Sequence, residues 1–508
     1  MLQEMPNPAK PSLAGRAVLA LVLMVGFYAL ALGIAGALLL VPFAELKYAH
    51  RLHAKLTVAC VLGAGVILWS ILPRRDKFVP PGPRLERKKH PRFYEELGRI
   101  AKATGQPVPE EAYLEMDVNA WVSQRGGFMG FGSRRVMAVG LPLLRILKVS
   151  QLRGVLAHEF GHYHGGDTKL GPWIYKTHEA LFRTVEKLAE SGSALRHVFI
   201  AYAKLFLRIS NAISRRQELA ADQLAAGIVG SRAFGEGLRA VHQGGMAYQV
   251  YFRNECVPAF GSGFRPPLAE GFARFMSSPA IAGAVEEAVS REKAEDKHDP
   301  YRTHPPLHER LAAIGPIPPE PPPGAPPPVD GDPPSISLLE DLDVLEDQLL
   351  RAAFDAREVA KLKPIRWEEV GTRIYLPMWT KAALKAKSRL QGLTPALLLD
   401  GKPDLEGLGR DQLDKPGSRE EAQAQGAVVL GAALVVALVR RGWALHADPG
   451  EPVTLDRGGV TISPFTLFSD LQEKKLTPDQ WRQLCSRAGI SDLDLTALSE
   501  EGGKTPPA

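Results

Sequence analysis

Two uncharged apolar runs near the N-terminus, Ala17 to Val41 and Leu56 to Leu72, limit what this 508-residue chain can fold into more than any other feature. At ~1.5 Å of rise per residue, the first easily crosses a ~30 Å hydrocarbon core as a helix, and the second is just long enough. A secretory signal peptide is the rival reading of the first run. Its apolar stretch is too long for one and a second run follows at once, so a hairpin of two membrane helices (about 17–41 and 56–72) is expected. Lys47, Arg51 and Lys55 lie in the connection. The denser basic block, Arg74, Arg75, Lys77, Arg84, Arg87, Lys88 and Lys89, follows the second run and places both ends of the hairpin on the cytoplasmic side.

The formal charge of +6 invites a nucleic-acid reading. The basic residues cluster beside the apolar runs instead, which suits an anionic membrane surface, and there is no aromatic-interleaved basic patch or zinc-finger spacing. Cys60, Cys256 and Cys485 are too scattered to form a CxxC site or a disulfide framework, so any metal must be held by His and carboxylate.

Four regions are expected: an anchor at 1–90, a catalytic domain at 91–315, a proline-rich linker at 316–334 and a C-terminal domain at 335–508. Arg92 to Thr104 predicts a helix ending at Gly105. Tyr113 to Ser123 and Arg135 to Val139 predict two short strands joined by the glycine-rich segment at 126–130. Helices dominate afterwards, so the fold class is mainly α (α+β), with a small edge sheet in the catalytic domain and a separate α+β C-terminal domain. In that last domain Ala427 to Val439 is apolar all round; a buried helix is favoured over a third span because the run is short. The final helix carries Thr477 as cap, Pro478 at its first position and Gly489 beyond its end.

The chemistry centres on His158-Glu159-Phe160-Gly161-His162. Ser150 is a plausible N-cap, and Leu152, Val155 and Leu156 mark one apolar face, so 151–164 predicts a helix ended by Gly165-Gly166. His158 and His162 stand one turn apart on the same face and can supply two ligands of a tetrahedral Zn²⁺, one ion per chain. Glu159 lies where it can take a proton from a water and pass it to a leaving amine. An amphipathic helix that happens to carry two histidines is the plainer alternative, since HExxH alone is only moderately specific.

A third ligand is required. Thr168 occupies the position where an HExxHxxGxxH motif needs its last histidine, and Asp167 is out of register. The other solution is Glu218, in Glu218-Leu219-Ala220-Ala221-Asp222 on a downstream helix, with Asp222 one turn on to orient a ligand imidazole. His164 is expected in solvent, and His178 has no spacing partner.

With these residues in hand, the chain resembles the HtpX-like and CAAX-prenyl-protease family of membrane zinc metallopeptidases, which includes the Oma-type proteases. The matching blocks are Val118-Asn119-Ala120-Trp121 through Gly140, Leu152 through His162, Glu218 through Asp222, and Thr303-His304-Pro305-Pro306-Leu307-His308-Glu309-Arg310-Leu311. The resemblance implies zinc on His158, His162 and Glu218, and Glu159 as general base. It puts His304 and Arg310 near the cleft, with His304 bonding the oxyanion, and makes Asn119-Ala120 the edge on which an extended substrate lies.

One departure is visible. Trp173 to Ser214 carries Lys176, Arg183, Glu186, Lys187, Lys204 and Arg208, too many charges for the further spans of typical HtpX proteins, so a soluble catalytic domain above the membrane is expected. The resulting expectation is an endopeptidase integral to a bacterial inner membrane with its catalytic domain facing the cytoplasm. Its partners would be protein or peptide substrates and the lipid bilayer, without nucleic acid. Two rivals stand beside it: a zinc hydrolase of a non-protein substrate, and a membrane scaffold with a degenerate protease domain.

Overall fold

A computed structural model describes residues 13–72, 78–126, 132–163, 171–295, 303–315, 331–398, 403–412, 417–472 and 475–496. The expectations for residues 127–130 of the glycine-rich segment, for His164, Gly165-Gly166, Asp167 and Thr168, and for residues 316–330 of the proline tract fall outside these residues. The chain is mainly helical with small sheets, and it divides into two compact units. The first comprises residues 1–245 and 288–353; the second comprises 246–287 and 354–508.

In the first unit the apolar runs form helices α1 (Leu13–Ala44) and α2 (Ala54–Ile71). Among the described residues three helices are long and apolar enough to cross a membrane: Val18–Ala49, Ala54–Ile71 and Arg419–Arg440. Helix α3 (Pro91–Ala103) follows, stopped by Gly105 at φ +66°.

The small sheet contains β1 (Arg84–Leu85), β2 (Glu111–Glu115), β3 (Ala120–Arg125) and β4 (Arg134–Gly140) in the order β1-β2-β4-β3. The single strand expected over 113–123 is therefore two. The break has a physical cause. The chain leaves β2, parallel to one side of β4, and crosses to the other side to run antiparallel as β3. It crosses over Gly140, where a Cβ would lie 1.8 Å from the Asp117 carbonyl oxygen, so only glycine admits the crossing.

Next come α4 (Leu141–Ile146), α5 (Val149–Gly161), α6 (Gly171–Glu190), α7 (Arg196–Val229) and α8 (Ser231–Tyr251). The HExxH helix α5 begins earlier than the sequence predicts. Ser150 lies inside its first turn, and Lys148 holds the cap position.

As the charges of 173–214 lead one to expect, neither α6 nor α7 is among the candidate spans of the described residues; both pack along the apolar hairpin. Ala180, Leu181, Leu188, Phe199 and Phe206 meet Phe27, Ala31, Ala35, Ala64 and Ile67 in one buried cluster. Tyr202 donates to the Leu23 carbonyl at 2.5 Å, and the Arg183 guanidinium donates to the Ser70 carbonyl. The charges at Lys176, Glu179 and Arg183 pair with one another along α6. Arg183 thus lies at the edge of the packing face and directs its guanidinium to the hairpin, while Glu186, Lys187 and Glu190 stay exposed.

Helices α9 (Val257–Gly261), α10 (Leu268–Ser277) and α11 (Pro279–Glu295) follow, then α12 (Leu307–Ala313) and α13 (Leu342–Ala353). In the second unit the helix Arg419–Arg440 is the central element. Val429 to Leu438 are all buried, in a core with Trp443, Trp481 and Leu455. That unit's own core takes up the apolar face that length and composition alone would offer to lipid. The C-terminal caps follow the sequence: Thr477 Oγ1 accepts from Gln480 N, and Gly489 sits at φ +64°.

Candidate metal centre

Helices α5 and α7 cross closely where Gly161 meets Ala221, and a Cβ on Gly161 would stand 3.1 Å from Ala221 Cα. That approach sets the side chains of the two helices against each other. His158 Nε2 lies 3.5 Å from Glu218 Oε2, and His162 Nε2 lies 3.4 Å from Glu218 Oε1. One potential ligand atom from each of His158, His162 and Glu218 falls within 4.8 Å of the others. The two imidazoles meet edge to face with centroids 4.8 Å apart, and the Phe234 ring of α8 stacks on His158 at 6.1 Å.

Three acceptor-bearing groups turned on one another suit a cation better than they suit each other. Glu218 Oε2 is buried and meets no donor in hydrogen-bond geometry, although His304 Nδ1 is 2.9 Å away. An orphaned buried carboxylate oxygen facing two imidazole nitrogens fits a divalent ion that takes N and O ligands.

The electrostatics agree. Burial opposes the charged form of Glu218, yet its contacts with His158 and His304 outweigh it and hold the carboxyl well below the usual range. Burial also disfavours imidazolium at His158, but Asp222 and Glu218 push it up to about 9. His162, buried and beside that charge, is pushed down to about 4. A proton on His158 therefore neutralises part of the cluster.

Asp222, fully buried, lies 2.9 Å from His158 Nδ1 and receives Arg310 of α12 at both oxygens. Burial raises its pKa, and the Arg310 and His158 contacts more than reverse that. Glu159 is raised to about 7 by burial.

A cavity of about 600 Å³ opens beside these groups. It is lined by Glu159, Glu218, His304 and Arg310, by Asn119 and Ala120 at the start of edge strand β3, and by an apolar wall of Leu143, Val155, Phe234, Leu238 and Val241. The structure thus brings every sequence-predicted site residue to one cluster or cavity. Further along β3, Tyr163 donates to the Val122 carbonyl at 2.8 Å. His178, which the sequence left without a role, lies 3.2 Å from Ser210 Oγ in the α6–α7 contact.

Sequence reasoning missed Phe234 and the Glu96–Arg153 pair. Phe234 has no motif around it. Arg153 did carry a signal: it is a charge among Leu152, Val155 and Leu156, on the face expected to be buried.

An HExxH helix packed against a Glu-bearing helix, with a short edge strand across the cleft, is the arrangement that a mononuclear metallopeptidase site requires. Residues 87–317 match the model of peptidase family M48. The chain is 31% identical over 189 residues to a protein named Protease HtpX homolog 1 of Streptomyces coelicolor, an alignment covering 34% of this chain and 59% of that relative. No solved structure matches the chain.

Proposed function

We propose that this protein is a membrane-anchored, zinc-dependent endopeptidase acting on unfolded or membrane-associated polypeptides. The observation that carries the reading is the convergence of His158, His162 and Glu218 beside Glu159 in one cavity of an M48 domain. Those three side chains would hold Zn²⁺, which would supply Lewis-acid chemistry for the hydrolysis.

The rest belongs to the chain. The start of β3, at Asn119-Ala120, holds an extended substrate backbone by strand addition. The apolar wall on α8 takes a neighbouring substrate side chain. Glu159 removes a proton from the attacking water and delivers it to the departing amine. His304, 64% exposed at the cavity rim, donates to the oxyanion. Asp222 and Arg310 fix the orientation of His158.

Helices α1 and α2 anchor the chain in a bacterial inner membrane, with α6 and α7 packed beside them, and the basic block after α2 places the catalytic side toward the cytoplasm.

The test uses the full-length protein purified in detergent. Zinc content is measured together with cleavage of casein, for the wild type and for Glu218→Ala. Stoichiometric zinc and cleavage in the wild type, both lost in the variant, are expected. A wild type that holds zinc but leaves casein and membrane-protein fragments intact contradicts the endopeptidase reading.

A further inference from the structure

Helix α5 is short, at 13 residues, and carries His158 and Glu159 in its last turn, with His162 at its C-cap. A helix of that length is marginal by itself, and its first-turn N–H groups have no partner within the helix. Here those partners come from far along the chain. Asp332 Oδ1 accepts from Ser150 N at 2.9 Å, and Asp332 Oδ2 accepts from the Ser150 hydroxyl at 2.7 Å. The Pro333 carbonyl accepts from Val149 N at 3.0 Å.

The same segment is fastened on both sides of these bonds. Ser335, fully buried, donates its N–H and its hydroxyl to the Leu147 carbonyl at 2.7 and 2.8 Å. Ile336, Leu338 and Leu339 are buried beyond it. Glu340 N donates to His90 Nδ1 at 3.2 Å, just before α3, and α3 holds Arg153 of α5 through Glu96. The residues 332–340 that make these contacts lie C-terminal to residue 317, where the M48 match ends.

We propose that residues 331–340 are a strap that positions the catalytic helix, with Asp332 as its positioning residue, so that the metal centre depends on a segment outside the peptidase-family region. The inference rests on the metallopeptidase reading for its catalytic consequence, while its structural part stands on the contacts alone. The strap replaces a local N-cap. Lys148, at the cap position, has no side-chain oxygen to accept from the first turn, and the Asp332 carboxylate does that work from 182 residues away. Its negative charge also faces the positive end of the helix dipole. With the first turn held, the pitch of α5 places His158 and His162 against Glu218. With it loose, the helix frays toward the ligands and their geometry relaxes.

The experiment uses full-length protein carrying Asp332→Ala, Asp332→Asn or Ser150→Ala. Three quantities are read: amide hydrogen exchange at 149–152, zinc affinity by chelator competition, and kcat and KM on an unfolded substrate. Asp332→Ala is expected to speed exchange at Val149 and Ser150 about tenfold and to weaken zinc about 3- to 10-fold, the scale of losing one helix cap. It should lower kcat with KM unchanged. Asp332→Asn restores most of each, because an amide oxygen still accepts from Ser150 N and its NH₂ can donate to the hydroxyl. Ser150→Ala, which deletes only the hydroxyl contact, gives a smaller change in the same direction and decides the matter if the alanine variant at 332 does not fold.

A merely structural role would speed exchange across the whole unit and leave kcat per zinc-loaded molecule unchanged, which overturns the proposal. So does wild-type exchange at 149–152 in Asp332→Ala. A wild type that binds no zinc overturns the functional reading instead, and exchange on that metal-free protein still decides the strap.

Discussion

Arg310 holds Asp222 with two arms of its guanidinium, Nε to Oδ2 at 2.8 Å and Nη2 to Oδ1 at 2.7 Å, and so fixes the carboxylate that faces His158 Nδ1. A planar two-point grip sets the angle of the carboxylate, and the carboxylate in turn sets the imidazole's tautomer and tilt. Lysine supplies the charge without the grip. Arg310→Lys should therefore weaken zinc about 10- to 100-fold with the fold intact, the usual scale for a group one step behind a ligand. Competition with a chelator of known affinity measures it, and unchanged affinity would show that Asp222 needs no such orientation.

Zinc binding should release protons in a defined amount. Without metal, His158 titrates near 9 and is protonated at pH 7, whereas His162, near 4, is already neutral. A metal ligand must give up its proton, so loading at pH 7 releases about one proton from His158 and none from His162. As pH rises through 9 that release disappears. Calorimetry on Glu159→Gln, which removes the proton that Glu159 would itself shed as the cation lowers its pKa, counts the protons in buffers of different ionisation enthalpy, and a release of two at pH 7 would contradict the assignment.

Glu159→Gln should retain zinc and lose kcat by about 10²- to 10⁴-fold, the range for removing a general base. In the wild type the base works only when ionised. Burial raises Glu159 to about 7, so activity should fall as pH drops through that region. A bound cation pulls the value down, and the acid limb of kcat/KM should lie at or below 7. An acid limb that persists in the glutamine variant's residual activity would assign it to another group.

How far this could be seen in the sequence depends on the range of the interactions involved. His158 and His162 are legible as a pair because helical pitch places i and i+4 together, with Glu159 beside them. Glu218 is legible because two histidines on one helix call for a third candidate ligand elsewhere in the chain. Asp222 follows by the same one-turn spacing. The beginning of α5 was misjudged: Ser150 has the character of a cap, and nothing local shows that its hydroxyl donates to Asp332, 182 residues away. The crossover at Gly140 was invisible for a similar reason, since strand signals carry no information about which side of a neighbour a strand joins. For α6 and α7 the charges are plain in the sequence, but not that the apolar positions between them pack on the hairpin.

The pair formed by Arg153 Nε and Glu96 Oε2, 2.6 Å apart and buried, joins α5 to α3. Removing one member of a buried pair is far costlier than replacing both. Glu96→Ala should lower stability by about 3 kcal/mol, and Glu96→Leu combined with Arg153→Met should recover most of it. The urea midpoint for loss of zinc provides the measurement. Equal destabilisation by the single and double changes would mean that the pair's charges are not what matters.

The second unit is not continuous in the chain, and that matters on the ribosome. Tyr251, Phe272 and Phe275 cluster with Trp367, whose indole donates to the Pro267 carbonyl 100 residues earlier. At about 5–20 residues per second, these rings wait roughly 5–20 s for the tryptophan that covers them. Throughout that interval the nascent chain already holds its HExxH helix and the Glu218 helix but still exposes an aromatic surface. Folding factors that shield such a surface would be needed most in that window, and a slower passage through residues 288–366 would lengthen it.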